Sequence, residues 1–442
     1  MIDMFEAVLV ADYLAPAPRR ADGATLACVF TLLLTLIPED LIIRGLPISI
    51  SPADVIAVGL LVFWFCAQAT MSLGAAKGRN VPRTALFLYL VTVMMTYGYA
   101  AAGYLPPDEL KLTDHSLVGV LGNVGVALVV CDGVRGRDRL DFLLKSVVVA
   151  CTIVAFIGAL QYLVKLDVTK YLVCPGLRYS EATAAVGTRN NLLRAASTTR
   201  HPIEFGVLCV MVLPLALHYG LCSRGWAARG WWLCCAIIGA GLMFSVSRSA
   251  AVTLAAMGAV LLIGWSWWRR AVALLVAGAF LGVLKLAAPG LLGTFYDLFA
   301  NASSDPSISY RTRRYPLIFH EVSKHVWLGR GMGTWYWPKH FPLDNQYLMT
   351  LLDSGVIGLV TFAGLFLAGI YAGLRARSLT VDPDQRHLCL ALVAAPIGPM
   401  IGAATFDLLN FKIVTGLMFL LLGATGALLR GACRVAGPAQ GS

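Results

Sequence analysis

Long apolar stretches separated by short polar connections occupy most of the chain. They lie near residues 24–38, 52–74, 84–104, 115–132, 142–164, 203–222, 230–247, 249–268, 270–288, 345–374, 387–407 and 411–430. An α-helix needs roughly 20 apolar residues to cross a bilayer, so the pattern predicts about twelve transmembrane helices. The first stretch is short and is ended by Pro38 before the polar pair Glu39 and Asp40, and the one at 387–407 contains Pro396, Gly398 and Pro399. Two connections, 165–202 and 289–344, are long and polar. Long connections inside compact proteins are either functional or disordered. Ile318, Val322 and Val326 recur at helical spacing within the second, and both connections are expected to hold amphipathic helices lying over the membrane. Trp335, Tyr336 and Trp337 suit the interfacial belt beside them. The fold expected is an all-α polytopic membrane protein, one integral domain over residues 1–442, with the loops 165–202 and 289–344 forming the active site.

Composition narrows the class. With 58% apolar and 13% charged residues, a soluble enzyme is excluded. The net charge of +11 does not imply nucleic acid, because its distribution follows the membrane. Alternate connections carry Lys77, Arg79 and Arg83; Arg135, Arg137 and Arg139; Arg224 and Arg229; Arg269 and Arg270; Arg375, Arg377 and Arg386; Arg430 and Arg434. The positive-inside rule then places both termini in the cytoplasm and the two long loops outside. Most of the eleven cysteines fall inside apolar runs and read as small buried hydrophobes.

The outer loops are nevertheless basic, and arginine concentrated beside a membrane suits a phosphate, which guanidinium binds bidentately at any accessible pH. Arg248 sits in Ser247-Arg248-Ser249 between two nearly continuous apolar runs. A charge there is a functional candidate, with snorkelling to lipid headgroups as the alternative. Asp344, followed by Asn345, stands where the second loop re-enters the membrane, as a base for a sugar hydroxyl or as a helix N-cap. His201 precedes Pro202 beside Arg200 and Glu204, and His340 lies four residues before Asp344. Neither outer loop has metal-ligand spacing, and the chain lacks a nucleotide-binding glycine loop followed by Lys-Ser/Thr. No metal and no cofactor are expected.

At these residues the chain resembles the superfamily of O-antigen ligases and Wzy-type O-antigen or exopolysaccharide polymerases. The resemblance covers about residues 30 to 430 and is densest in four places. Arg194 to Thr198, then His201-Pro202, is similar to an Arg-x-x-Gly-Thr and His/Asn-Pro pattern, with Ser197 in place of Gly. Ser247-Arg248 is similar to a Ser-Arg turn on the outer face. Arg311, with fifteen residues to Val326 and then Leu328-Gly329-Arg330-Gly331, is similar to an arginine-led helix ending in His-Pro-Leu-x-Gly-x-Gly, in which His325 matches the ordinary helix-end histidine. Asp344-Asn345-Gln346-Tyr347-Leu348 through Asp353-Ser354-Gly355-Val356-Ile357-Gly358 is similar to a His-Asn-x-x-Leu and Glu-x-Gly-x-x-Gly pattern. Ligases of the superfamily carry a proposed catalytic histidine where this chain has Asp344, and polymerases of exopolysaccharide type more often carry Asp.

The resemblance implies a GT-C-type membrane glycosyltransferase of the bacterial cytoplasmic membrane, inverting and metal-independent. It would transfer an undecaprenyl-pyrophosphate-linked oligosaccharide to an acceptor glycan or lipid, as a polymerase or alternatively as an O-antigen ligase acting on lipid A core. Arg194, Arg248 and Arg311 are then expected at the pyrophosphate, with Arg314 in reserve. Asp344 is the expected base, Asn345 its orienting neighbour and His340 a displaced substitute; Arg200, His201 and Glu204 are further candidates. Membrane lipids, a chain-length regulator and a flippase are the expected partners. A lipid-linked oligosaccharide flippase is the alternative of another class, although its expected mid-membrane charges and paired halves are not visible.

Overall fold

Polar residues at the ends of the apolar stretches decide where helices begin. Ser51 and Asp54 form a reciprocal capping box with Pro52 at the first helical position, and Asp22 caps the first helix through Thr25. The computed structural model describes residues 22–436 apart from 46–48, 71–78, 104, 173, 181–187, 190, 191, 289 and 301–313. Its helices are α1 (Gly23–Leu36), α2 (Pro52–Ala69), α3 (Val81–Ala102), α4 (Pro107–Gly133), α5 (Arg137–Leu163), α6 (Pro202–Cys222), α7 (Gly225–Phe244) and α8 (Arg248–Gly264). They continue with α9 (Trp267–Ala287), α10 (Leu291–Ala300), α11 (Tyr315–Val322), α12 (Gln346–Leu379), α13 (Pro383–Ala394), α14 (Ile397–Gly402) and α15 (Lys412–Ala436).

Among the described residues nine helices are long and apolar enough to cross a membrane, and the chain is an integral membrane protein. Of the other three expected spans, α1 and α8 are apolar but shorter, at 14 and 17 residues. The stretch at 387–407 is divided into α13 and α14, because Pro396 and Pro399 remove backbone donors and the chain leaves the helix after Gly402. Helix α15 is the axis of the bundle, with 94% of its apolar window buried, whereas α9 has 6% buried and stands at the periphery. Small residues let backbones approach around that axis: a Cβ on Gly423 would lie 2.4 Å from the Ala127 carbonyl oxygen, and one on Gly125 2.6 Å from the Leu61 Cβ.

The helices run up and down between two faces. One, the loop face, carries the connections 165–202 and 289–344; the other is the distal face. In the first connection the expected amphipathic helix is not found among the described residues. Instead β2 (Leu177–Tyr179) pairs antiparallel with β1 (Leu41–Ile43), Leu41 opposite Tyr179. Pairing with 41–43 satisfies the backbone groups that a helix would otherwise have satisfied. In the second connection α10 and α11 are present, and α11 buries Ile318 and Val322 while Val326 is exposed.

Candidate functional site

Four helices begin around one cavity. The starts of α6, α8, α12 and α15 at the loop face surround a space of about 1150 Å³. His201 Nδ1 accepts the Ile203 N–H at 3.1 Å, Ser247 Oγ the Ala250 N–H at 3.3 Å, and Asn345 Oδ1 the Leu348 N–H at 3.1 Å. At the fourth, Glu204 Oε1 accepts the N–H groups of Ile413 and Val414 at 3.0 and 3.4 Å. Each helix start carries partial positive charge, so their convergence favours an anion. Arg194, Arg200, Arg248 and Lys412 line the same cavity and add full charges.

Carboxyl groups share the space. Asp344, Asp353, Asp407 and Asp54 line it, and Asp344 is exposed. Asp407, in the connection between α14 and α15, is pushed up to about 7, first by burial and then by the negative charge of Asp344. His201 is pushed down to about 4, first by burial and then by Arg194. Its Nδ1 already accepts from Ile203, so the neutral ring keeps its proton on Nε2 as a donor. Between these two groups Asp407, not His201, has the basicity for proton transfer at neutral pH.

Residues 326–345 form the roof. Gly355 interrupts α12 with φ 66°, and a Cβ there would lie 2.3 Å from the Trp327 carbonyl. Into this gap the 326–331 turn fits: the Val356 N–H donates to Val326 O at 2.8 Å, and the Arg330 and Gly331 N–H groups donate to Leu352 O and Asp353 O, each at 2.9 Å. The Gly329-Arg330-Gly331 turn is therefore engaged with α12. Arg330 Nη2 donates to Glu109 Oε1 at 2.9 Å, Lys339 pairs with Glu109 and Asp108, and the Tyr336 hydroxyl donates to Asp108. Trp335, Tyr336 and Trp337 line the cavity.

Of the residues singled out by sequence, Arg194, Arg200, His201, Arg248 and Asp344 meet in this cavity. Asn345 does not line it; its side chain is spent capping α12, so Asp344 is not the cap. His340 is also outside, stacked on Trp335 at 4.0 Å between ring centres, with burial holding its imidazole below its ordinary basicity. Glu204 lies fully buried behind the wall, where Oε2 accepts the Arg200 N–H at 3.1 Å. Arg314 stacks over Phe341 at 4.4 Å, away from the lining. Arg311 lies outside the described residues. Ser197, where the resembled pattern has glycine, adopts φ 58°, and its Oγ donates to Val154 O at 2.6 Å. Sequence reading missed Asp407, Asp54 and Lys412, and for Asp407 the nearby prolines 396 and 399 were the available sign that the apolar run breaks.

One group among the described residues has metal-ligand spacing. The ligand atoms of His218, Cys222 and His387 lie within 4.8 Å of one another at the distal face. Trp265 Nε1 donates to His387 Nε2 at 2.9 Å, so His387 carries its proton on Nδ1, which faces His218 Nδ1 at 3.1 Å. The arrangement is a closed hydrogen-bonded set.

Residues 233–363 match a family model described as O-antigen ligase, Wzy_C. No curated protein matches the chain. The matched segment takes in Arg248, the roof and Asp344, while Arg194, Arg200 and Asp407 reach the cavity from outside it. The roof, the Arg248 turn and the first half of α12 thus lie in a segment similar to the O-antigen ligase family, and the rest of the cavity wall is supplied by the chain on either side of it.

Proposed function

We propose that the protein is a membrane glycosyltransferase that extends a glycan from an undecaprenyl-pyrophosphate donor, as a polymerase. The observation that carries this reading is the meeting of Arg194, Arg200 and Arg248 with four helix starts and with Asp344 and Asp407 in one cavity. The arginines hold the pyrophosphate and stabilise the charge that grows on it as the glycosyl bond breaks. Arg311 is assigned to the same pyrophosphate, with Arg314 in reserve. Phe30, Leu34 and Phe419 on the cavity wall receive the first isoprene units. The acceptor hydroxyl attacks the anomeric carbon from the side opposite the pyrophosphate, with inversion. Asp344 takes its proton, and Asp407, pushed up to about 7 by burial and by Asp344, is the second proton site. Positive charge from guanidinium groups and helix starts serves the leaving group without a metal. The same geometry serves a ligase whose acceptor is lipid A core, and the presence of Asp344 rather than histidine favours polymerase.

The test is incubation of the purified protein with lipid-linked repeat units. A ladder of products supports polymerisation, a single transfer to an added lipid acceptor supports ligation, and movement of the donor across a bilayer without transfer would overturn both.

A further inference from the structure

At the distal face α3, α12 and α15 diverge around a second space, a crevice of about 1010 Å³. Its inner part is hydrocarbon. Leu88, Val360 and Leu367 stand on its edges, 57%, 63% and 63% exposed. Gly364 lies between the last two on α12, and a Cβ there would meet nothing within 4 Å. Val360, Gly364, Leu367 and Tyr371 follow one helix face and leave an open channel rather than a packed seam. From Val360 to Tyr371 that face is about 16 Å long, close to half of a ~30 Å hydrocarbon core.

The mouth has other chemistry. Arg79, Arg83, Arg430 and Arg434 line it with a single carboxylate, Asp132, leaving a net charge of +3 from four cations and one anion. Asp132 already accepts from Trp64 at 3.1 Å, Gln68 at 3.3 Å and Arg83 at 3.2 Å. Asn80 is 8% exposed; its Nδ2 donates to Gly426 O at 3.0 Å. Its Oδ1 is buried with no hydrogen-bond partner among the described residues, an acceptor waiting for a donor.

We propose that this crevice binds one anionic glycerophospholipid of the phosphatidylglycerol type. The phosphate sits among the arginines, a hydroxyl of the head-group glycerol donates to Asn80 Oδ1, and an acyl chain lies along the α12 channel. Basic pockets between membrane helices bind anionic head groups in this way. A zwitterionic lipid brings a cation to a mouth already positive, and free phosphate leaves the channel without an occupant.

The test uses the full-length protein in detergent, titrated with phosphatidylglycerol or with phosphatidylcholine of the same chains, and bound lipid counted by native mass spectrometry. Phosphatidylglycerol is expected to bind at least about tenfold more tightly, one per chain, and Arg79→Gln and Arg434→Gln each to weaken it about fivefold. Gly364→Leu, which fills the channel where nothing clashes, is expected to displace the lipid with the arginines intact. Phosphatidylmethanol, equal in charge and lacking the glycerol, is expected to bind about fivefold more weakly. Equal binding of phosphatidylglycerol and phosphatidylcholine overturns the proposal. So does full binding in Arg79→Gln, Arg434→Gln and Gly364→Leu alike, or competition by glycerol phosphate alone as strong as by the lipid.

Discussion

The two ends of α15 hold two spaces of similar size, about 1150 and 1010 Å³, the first lined by arginines and several carboxylates and the second by arginines and Asp132 alone. Lys412 and Arg434 are 22 residues apart on this helix, so roughly 33 Å separates the two. At the distal end the arginines answer negative charge. Arg430 donates to the carbonyls of Cys131 and Val134 at the end of α4, and with Arg83 it flanks Asp132. At the loop face the arginines add to charge of their own sign, because the helices there begin rather than end. Its carboxyls also bear on each other: Asp344 raises Asp407, whereas Asp132 is ringed by donors. Arginine density is therefore the same clue at both ends and means different things. Helix polarity tells a site where helix starts reinforce every arginine from one where Arg83 and Arg430 tie helices together and Arg79 and Arg434 are left at the crevice mouth.

The largest expected effect comes from removing the base. Asp344→Asn should lower transfer by about 10²–10⁴-fold, the usual worth of proton transfer assistance, in a protein that still folds because Asn345 caps α12. Product ladders beside a thermal melt check this, and normal yield from that variant would erase the chemical difference between the two spaces. Next is the shape of the guanidinium. Arg248→Lys keeps the charge but loses the bidentate fork, and activity should fall about 10²-fold. The matching change at the distal end, Arg434→Lys, should leave transfer unchanged; equal losses from both would make the loop face no more special than its counterpart.

A smaller effect is read in pH. A carboxyl with a pKa near 7 keeps its proton below that pH and accepts one only above it. Transfer should therefore rise about tenfold from pH 6 to pH 8, and Asp407→Asn should remove that rising limb. A rate profile that keeps the limb in this variant assigns it elsewhere. The smallest effect on transfer is expected from Asp132→Asn. Activity per folded molecule should stay within about twofold, while stability drops by about 3 kcal/mol because half-buried Arg83 and Arg430 lose their buried anion. Chemical or thermal unfolding in parallel with the transfer assay separates the two.

Much of the architecture was legible before any coordinates. Runs of about 20 apolar residues are local facts, and a bilayer obliges them to be helices. The density of arginine around 194–200 and at 248, and the Asp344-Asn345 pair at a re-entry point, were visible for the same reason. The division of 387–407 was less visible, since Phe406 and Leu408 hide Asp407 inside an apolar context. Equally hidden was the partner of the basic roof: Glu109 pairs with Arg330 across 221 residues of sequence.

The chain by itself determined that it is a helical membrane protein with basic loops and an arginine at the mouth of a helix pair, because burial in lipid and charge at interfaces act residue by residue along it. Only the tertiary structure decided that four helix starts share one cavity, that Asn345 rather than Asp344 caps α12, and that Asp407 stands in reach of Asp344's charge. Those facts depend on which ends of distant helices the packing around α15 brings together, and electrostatic work at a site is set by distances through space that no local spacing encodes.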